Sequence, residues 1–162
     1  MSLEINLDSG KLKVGADIFP VRIAGFYRQC IGNLDYSASE TTLKDTGLRM
    51  YIGYIEQGLG YEKGLPSIRK AYLEIMVLGY NVKYQVEYAS VDTNGSWTPL
   101  KSDQITSTSL TRKHHRWIDI TKDYGGGAPI DIRFLACNYD GTNNGRIESA
   151  CLTLIILEAQ QD

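Results

Sequence analysis

Residues 130–157 constrain this chain more than any other stretch. Apolar side chains alternate with others on both sides of a polar loop: Ile130, Ile132, Phe134 and Ala136 before it, Ala150, Leu152, Leu154 and Ile156 after it. A period of two is the spacing of a β-strand, whose successive side chains point to opposite faces. With residues 141–145 as a loop and Asp140 opposite Arg146, the two apolar sets fall on one face of a hairpin. A slip of one residue would turn one set over, so this register is the expectation.

The pattern recurs between Ala71 and Val91. With Gly79-Tyr80 as a two-residue turn, Leu73, Ile75 and Val77 stand against Val86, Tyr84 and Val82. Ile68, Tyr72, Ile75 and Gly79 also have helical spacing, and a helix over 67–78 capped by Gly79 is the competing reading. Alternation running on into Tyr88 favours the strand. Residues 32–47 are polar and read as loop, and Leu48–Glu56 as a strand. Gly at 16, Tyr at 11, Phe at 3 and Pro at 4, with turns such as Asp8-Ser9-Gly10 and Asn94-Gly95, point the same way. The expected fold is all-β, an antiparallel β-sandwich of jelly-roll type with at most one short helix. At 162 residues it is one domain, 1–162.

Seventeen Lys and Arg against 19 Asp and Glu leave a net charge of −2, unsuited to covering nucleic-acid phosphates. No stretch approaches the roughly 18 apolar residues of a membrane helix, and Met1-Ser2-Leu3-Glu4-Ile5 lacks the pattern of a secretory signal. Neither nucleic acid nor a membrane is expected as a partner.

The expected hairpin also speaks to the three cysteines. It sets Cys137 opposite Ser149 and Cys151 opposite Leu135, diagonal neighbours roughly 7–8 Å apart, beyond the ~4 Å Cβ separation of a disulfide. Cys30 has no assigned partner, so three free thiols are expected.

Motifs that could carry chemistry are incomplete. Ser90, Asp92 and Trp97 resemble the Asp-box turn of sialidase-type propellers, but Asn94 stands at the Gly position and the motif occurs once. A similar strand-turn-Trp phrase is found in carbohydrate-binding jelly rolls of the discoidin type. The plain reading is a turn with Trp97 packed at its base. In Arg112-Lys113-His114-His115-Arg116 the adjacent histidines diverge on a strand and cannot share one metal ion. An unbroken strand to Ile120 turns Ile118 and Ile120 inward and leaves His115, Trp117 and Asp119 outside. Asp140-Gly141-Thr142-Asn143-Asn144-Gly145 copies half of an EF-hand loop, but Cys151 occupies the place of its bidentate Glu. Gly125-Gly126-Gly127 lacks the lysine and helix of a phosphate cradle. No catalytic, cofactor or metal residues are therefore assigned, and the chain is read as no enzyme; a hydrolase reading has no residues to name.

The second face of the 130–157 hairpin carries Asp131, Arg133 and Tyr139, but also Leu135, Ile147 and Ile155. A two-layer sandwich needs one apolar face per sheet, so these three are surplus to a simple monomer: either a loop such as 25–47 covers them or another chain does, and the expectation is a homo-oligomer contact. In its Tyr/Gly/Asn-rich texture and the closing phrase Ile132-Arg133-Phe134-Leu135-Ala136 … Ser149-Ala150-Cys151-Leu152-Thr153-Leu154, the chain resembles jelly-roll subunits of bacteriophage particles. Those are capsid-decoration and tail-appendage proteins. The resemblance implies a homotrimer and a place in a virion beside other assembly proteins. The alternative is a carbohydrate-binding module with a glycan stacked on Trp97 and Trp117 near His115.

Overall fold

The computed structural model describes residues 3–6, 11–14, 17–52, 67–90, 96–120 and 130–160. The turns read at Asp8-Ser9-Gly10 and Asn94-Gly95, the glycine-rich segment 58–64 and the run Gly125–Gly127 lie outside them. Among these described residues ten strands follow in order: β1 (Leu3–Asn6), β2 (Lys11–Val14), β3 (Asp17–Tyr36), β4 (Lys44–Ile52), β5 (Ser67–Tyr80), β6 (Val82–Ser90), β7 (Thr98–Ile105), β8 (Thr111–Asp119), β9 (Ile130–Asn138) and β10 (Gly145–Gln160). No helix occurs among the described residues, and residues 67–78 belong to strand β5.

The strands form two antiparallel sheets, ordered β1-β2-β3-β10-β5-β8 and β4-β9-β6-β7. Pairing is nested: β3 with β10, β4 with β9, β5 with β8, β6 with β7. This is one long eight-strand hairpin rolled into two layers, the jelly roll. Contacts of β10 with β5 and of β6 with β9 complete the sheets.

Nesting corrects both expected hairpins. β9 and β10 lie in opposite sheets and do not pair, and the same holds for β5 and β6. The faces were read correctly: Leu73, Ile75, Val77, Val82, Tyr84, Val86, Ile132, Phe134, Ala136, Ala150, Leu152, Leu154 and Ile156 form the buried core. Apolar alternation states which side of a strand is dry. It does not distinguish a neighbour in the same sheet from one across the core, about 10 Å away.

The chain changes sheets at Asn81, which is fully buried and has φ 47°, in the left-handed region that Asn tolerates better than most residues. Its Nδ2 donates to Asp140 Oδ1 (3.0 Å) and the Asn143 carbonyl (2.7 Å), and its carbonyl accepts from Tyr139 N (3.1 Å). The corner between β5 and β6 is thereby tied to the corner between β9 and β10. Gly145 is required there, because a Cβ would strike the Asn81 carbonyl oxygen. The EF-hand-like loop thus acts as a corner clamp. Asp140 accepts from the amides of Asn143 and Thr142, which hold its carboxyl well below the usual carboxylate range.

Strand β3 covers part of the segment read as loop. Gly32 and Asp35 look like loop residues, yet they pair with Ser149 and Arg146 of β10. Arg146 reaches back to Asp35 Oδ1 (2.6 Å) and Asn33 Oδ1 (2.8 Å). Opposite them, β10 and β5 shift register between Ile147 and Ser149. That irregularity lets Ile147 and Ala150, three apart, both face the core.

The same pairing sets Cys30 directly opposite Cys151, and the two form a disulfide with Cα atoms 4.1 Å apart. Three free thiols is therefore wrong; Cys137, buried, remains free. The error follows from placing β9 beside β10, which put Cys137 rather than Cys30 near Cys151.

Candidate functional site

Leu135, Ile147 and Ile155, expected on one outer face, are separated by the roll. Ile147 is fully buried in the core. Leu135 sits in β9 of the second sheet, between Asp45 and Gln85, and is 8% exposed. Only Ile155 lies on the outer face of the first sheet, half-buried.

Cross-strand register assembles a surface around Ile155. Directly opposite residues share a face, so Phe26, Ile155 and Tyr72 form one row across β3, β10 and β5. Beyond a register shift Ile23 lies opposite Leu157, which is itself buried, while Cys30, the buried Cys151 and Met76 form a row on the other side. Between them runs Arg28, Thr153 and Glu74, with Thr153 buried at 4% exposure beneath its neighbours. Phe26 is 56% exposed and Ile23 62% exposed. The sequence reading missed Ile23, Phe26 and Tyr72 because β3 had no assigned partner; opposition to β10 is what collects them.

The expected ligand residues do not converge. Trp97 precedes β7 at the second sheet, with the Arg133 guanidinium 4.0 Å and that of Arg49 5.3 Å from its ring centre. Arg133 also holds Glu87 Oε2 through Nη2 (2.7 Å) and Nε (2.8 Å). Glu87 accepts from Gln85 Nε2 (2.6 Å), and Gln85 from Ser102 Oγ (2.9 Å). Trp97 is thus engaged by the protein's own cations. On β9 burial raises the Asp131 carboxyl pKa, and its Oδ1 lacks a hydrogen-bond partner among the described residues.

Trp117 belongs to β8 in the other sheet, half-buried, and has φ 51°, an unusual conformation for a bulky residue. The β5–β8 register shifts beside it, between Leu73 and Ile75. This irregularity corrects the expectation for His115. His115 pairs with Ile75, a core-facing residue, so its ring turns inward while Ile118 and Ile120 still reach the core.

His115 Nε2 lies 2.8 Å from Tyr84 Oη and 3.2 Å from Asp103 Oδ2, joining β8 to β6 and β7 of the opposite sheet. A proton on Nε2 satisfies both oxygens, so that tautomer fits the geometry. Burial lowers the His115 pKa; Asp103 opposes this, and Lys101, Lys113 and His114 add to it. Burial, helped by Asp103, raises the Tyr84 hydroxyl. One ring nitrogen meets both partners here. The contact clasps the two sheets together. Beside it an open cleft of about 250 Å³ is lined by residues including Asp103, Ile105, Ser107, Thr111 and Lys113. His114 turns the other way, its Nε2 3.1 Å from Glu74 Oε2. Among the described residues no three His, Cys, Asp or Glu side chains gather for a metal ion, and no helix is long and apolar enough to cross a membrane.

No protein-family model matches the chain, and no curated protein matches it. Among solved structures it is similar to a chain in the structure of infectious bursal disease virus, Gx strain, with TM-score 0.43 and 10% identity over 98% of this chain and 40% of that one. A second is the VP2 subviral particle of infectious bursal disease virus, with TM-score 0.39 and 8% identity over 98% of this chain and 41% of that one. The chain thus spans about 40% of the length of the first of these.

Proposed function

We propose that the chain is a non-catalytic structural subunit that associates with copies of itself in a larger assembly, of the kind found in a virus particle. A bacteriophage decoration or tail-appendage protein is the sharper form of this reading. One observation carries it: the outer face of the first sheet presents Ile23 and Phe26, 62% and 56% exposed, continuous with Ile155 and Tyr72. None of the four belongs to the buried core cluster. Contiguous apolar surface rimmed by polar groups is the mark of an interaction site, and aromatic residues are enriched at such contacts. The glycan alternative has less support, because Trp97 is covered by guanidinium groups and Trp117 lies in the opposite sheet.

The test is the mass of the purified chain in solution, by light scattering across a range of concentrations. A multiple of the chain mass at micromolar concentration is expected. A monomer at high micromolar concentration would remove the reading's support.

A further inference from the structure

We infer that the contact is made between two copies packed face to face through β3, β10 and β5, about a two-fold axis running close to β10. The inference rests on the assembly reading above and names its surface. Three rows cross this face: Phe26, Ile155, Tyr72; then Arg28, Thr153, Glu74; then Cys30, Cys151, Met76. An axis along β10 leaves each β10 facing its own copy and sets β3 of one copy against β5 of the other. Ile155 then meets Ile155, and Phe26 meets Tyr72. Cys30 meets Met76, soft sulfur against soft sulfur.

The middle row decides the occupant. Arg28 of each copy falls against Glu74 of the other, so two opposite-charge pairs form at once from one self-complementary patch. Within the chain Arg28 and Glu74 flank Thr153, about 9–10 Å apart at the strand spacing, and no ion pair joins them. Among the described residues Arg28 has no ion-pair partner, and Glu74, its side chain 18% exposed, lies 3.1 Å from His114 Nε2. A cation and an anion placed symmetrically about a central apolar strand suit a second copy of the same face. Aligned sheets pack about 10 Å apart with strands about 30° from parallel, which keeps these rows in reach of one another. This departs from the trimer expected from the sequence, since a two-fold axis closes at two copies.

The experiment exchanges the charges. Arg28→Glu makes the middle row acidic on both sides, and Glu74→Arg makes it basic on both sides. The wild-type chain should sediment as a dimer. Each variant alone should dissociate at least tenfold more readily, with a melting curve close to wild type. An equimolar mixture should restore the dimer, because acidic and basic rows then face each other. Variants that keep wild-type association, or a mixture that stays dissociated, would overturn the inference while leaving an oligomer formed elsewhere. A wild-type trimer would overturn the two-fold arrangement alone, and a wild-type monomer would overturn the assembly reading with it. If a variant fails to fold, Ile155→Cys supplies the answer: a short bismaleimide should link two chains through position 155, and failure to link a dimer there would contradict the axis.

Discussion

Asn81 and His115 each hold the two layers together by a polar contact made inside the protein. Asn81→Ala removes a fully buried amide donor that reaches Asp140 and Asn143, and leaves a residue less suited to φ 47°. A loss of about 2–3 kcal/mol is expected from the broken bonds and the left-handed backbone together, measured by urea unfolding. His115 predicts a pH dependence. Its folded pKa lies below 6.5, so the unfolded chain binds the proton more tightly. Stability from this group is therefore present above 6.5, declines as pH falls towards the folded value, and levels off below it. Comparing melting temperatures at about pH 7.5 and 5.5, wild type should lose more than His115→Gln; an equal loss would contradict the inward ring. Nothing in the run Arg112–Arg116 announces that ring. A strand reading alternates sides, and one irregular residue at positive φ, Trp117, changes which side His115 takes.

At the scale of strands, faces were legible and partners were not. The dry sides of β5, β6, β9 and β10 follow from alternation alone, since burying one side of a pleated strand demands it. Their pairing depends on distant chain segments, and β3 is the clearest instance. Its loop-like residues Gly32, Asn33 and Asp35 become strand because β10 supplies Ser149 and Arg146 opposite. The Cys30–Cys151 disulfide was hidden for the same reason. It closes a separation of 121 residues, and constraint of the unfolded chain over such a loop corresponds to about 3–5 kcal/mol. Denatured, unreduced protein should therefore show one titratable thiol, from Cys137, and reduced protein three. Cys30→Ser should lower stability by about that amount; a thiol count of three without reductant would refute the pairing of β3 with β10.

For the whole molecule, the nested order of strands explains what could not be foreseen. Of the eight strands in the roll, only β6 and β7 pair with the next strand in sequence; β3 waits for β10 and β4 for β9. Local turn chemistry favours neighbours, so a reader of sequence draws hairpins where the chain crosses between layers. The roll also decides which surplus apolar residues reach the surface. Ile147 is drawn into the core, Leu135 is covered on the second sheet, and Ile155 joins Phe26, Tyr72 and Ile23 on the first. The central claim is that this last surface joins copies of the chain. It is tested most directly by the solution mass and melting curve of Ile155→Lys beside Leu154→Lys. Residue 154 is fully buried and residue 155 is not. Ile155→Lys should run as a folded monomer, whereas Leu154→Lys should unfold, a buried unpaired charge being intolerable in the core. An Ile155→Lys protein that keeps the wild-type oligomer would contradict the claim.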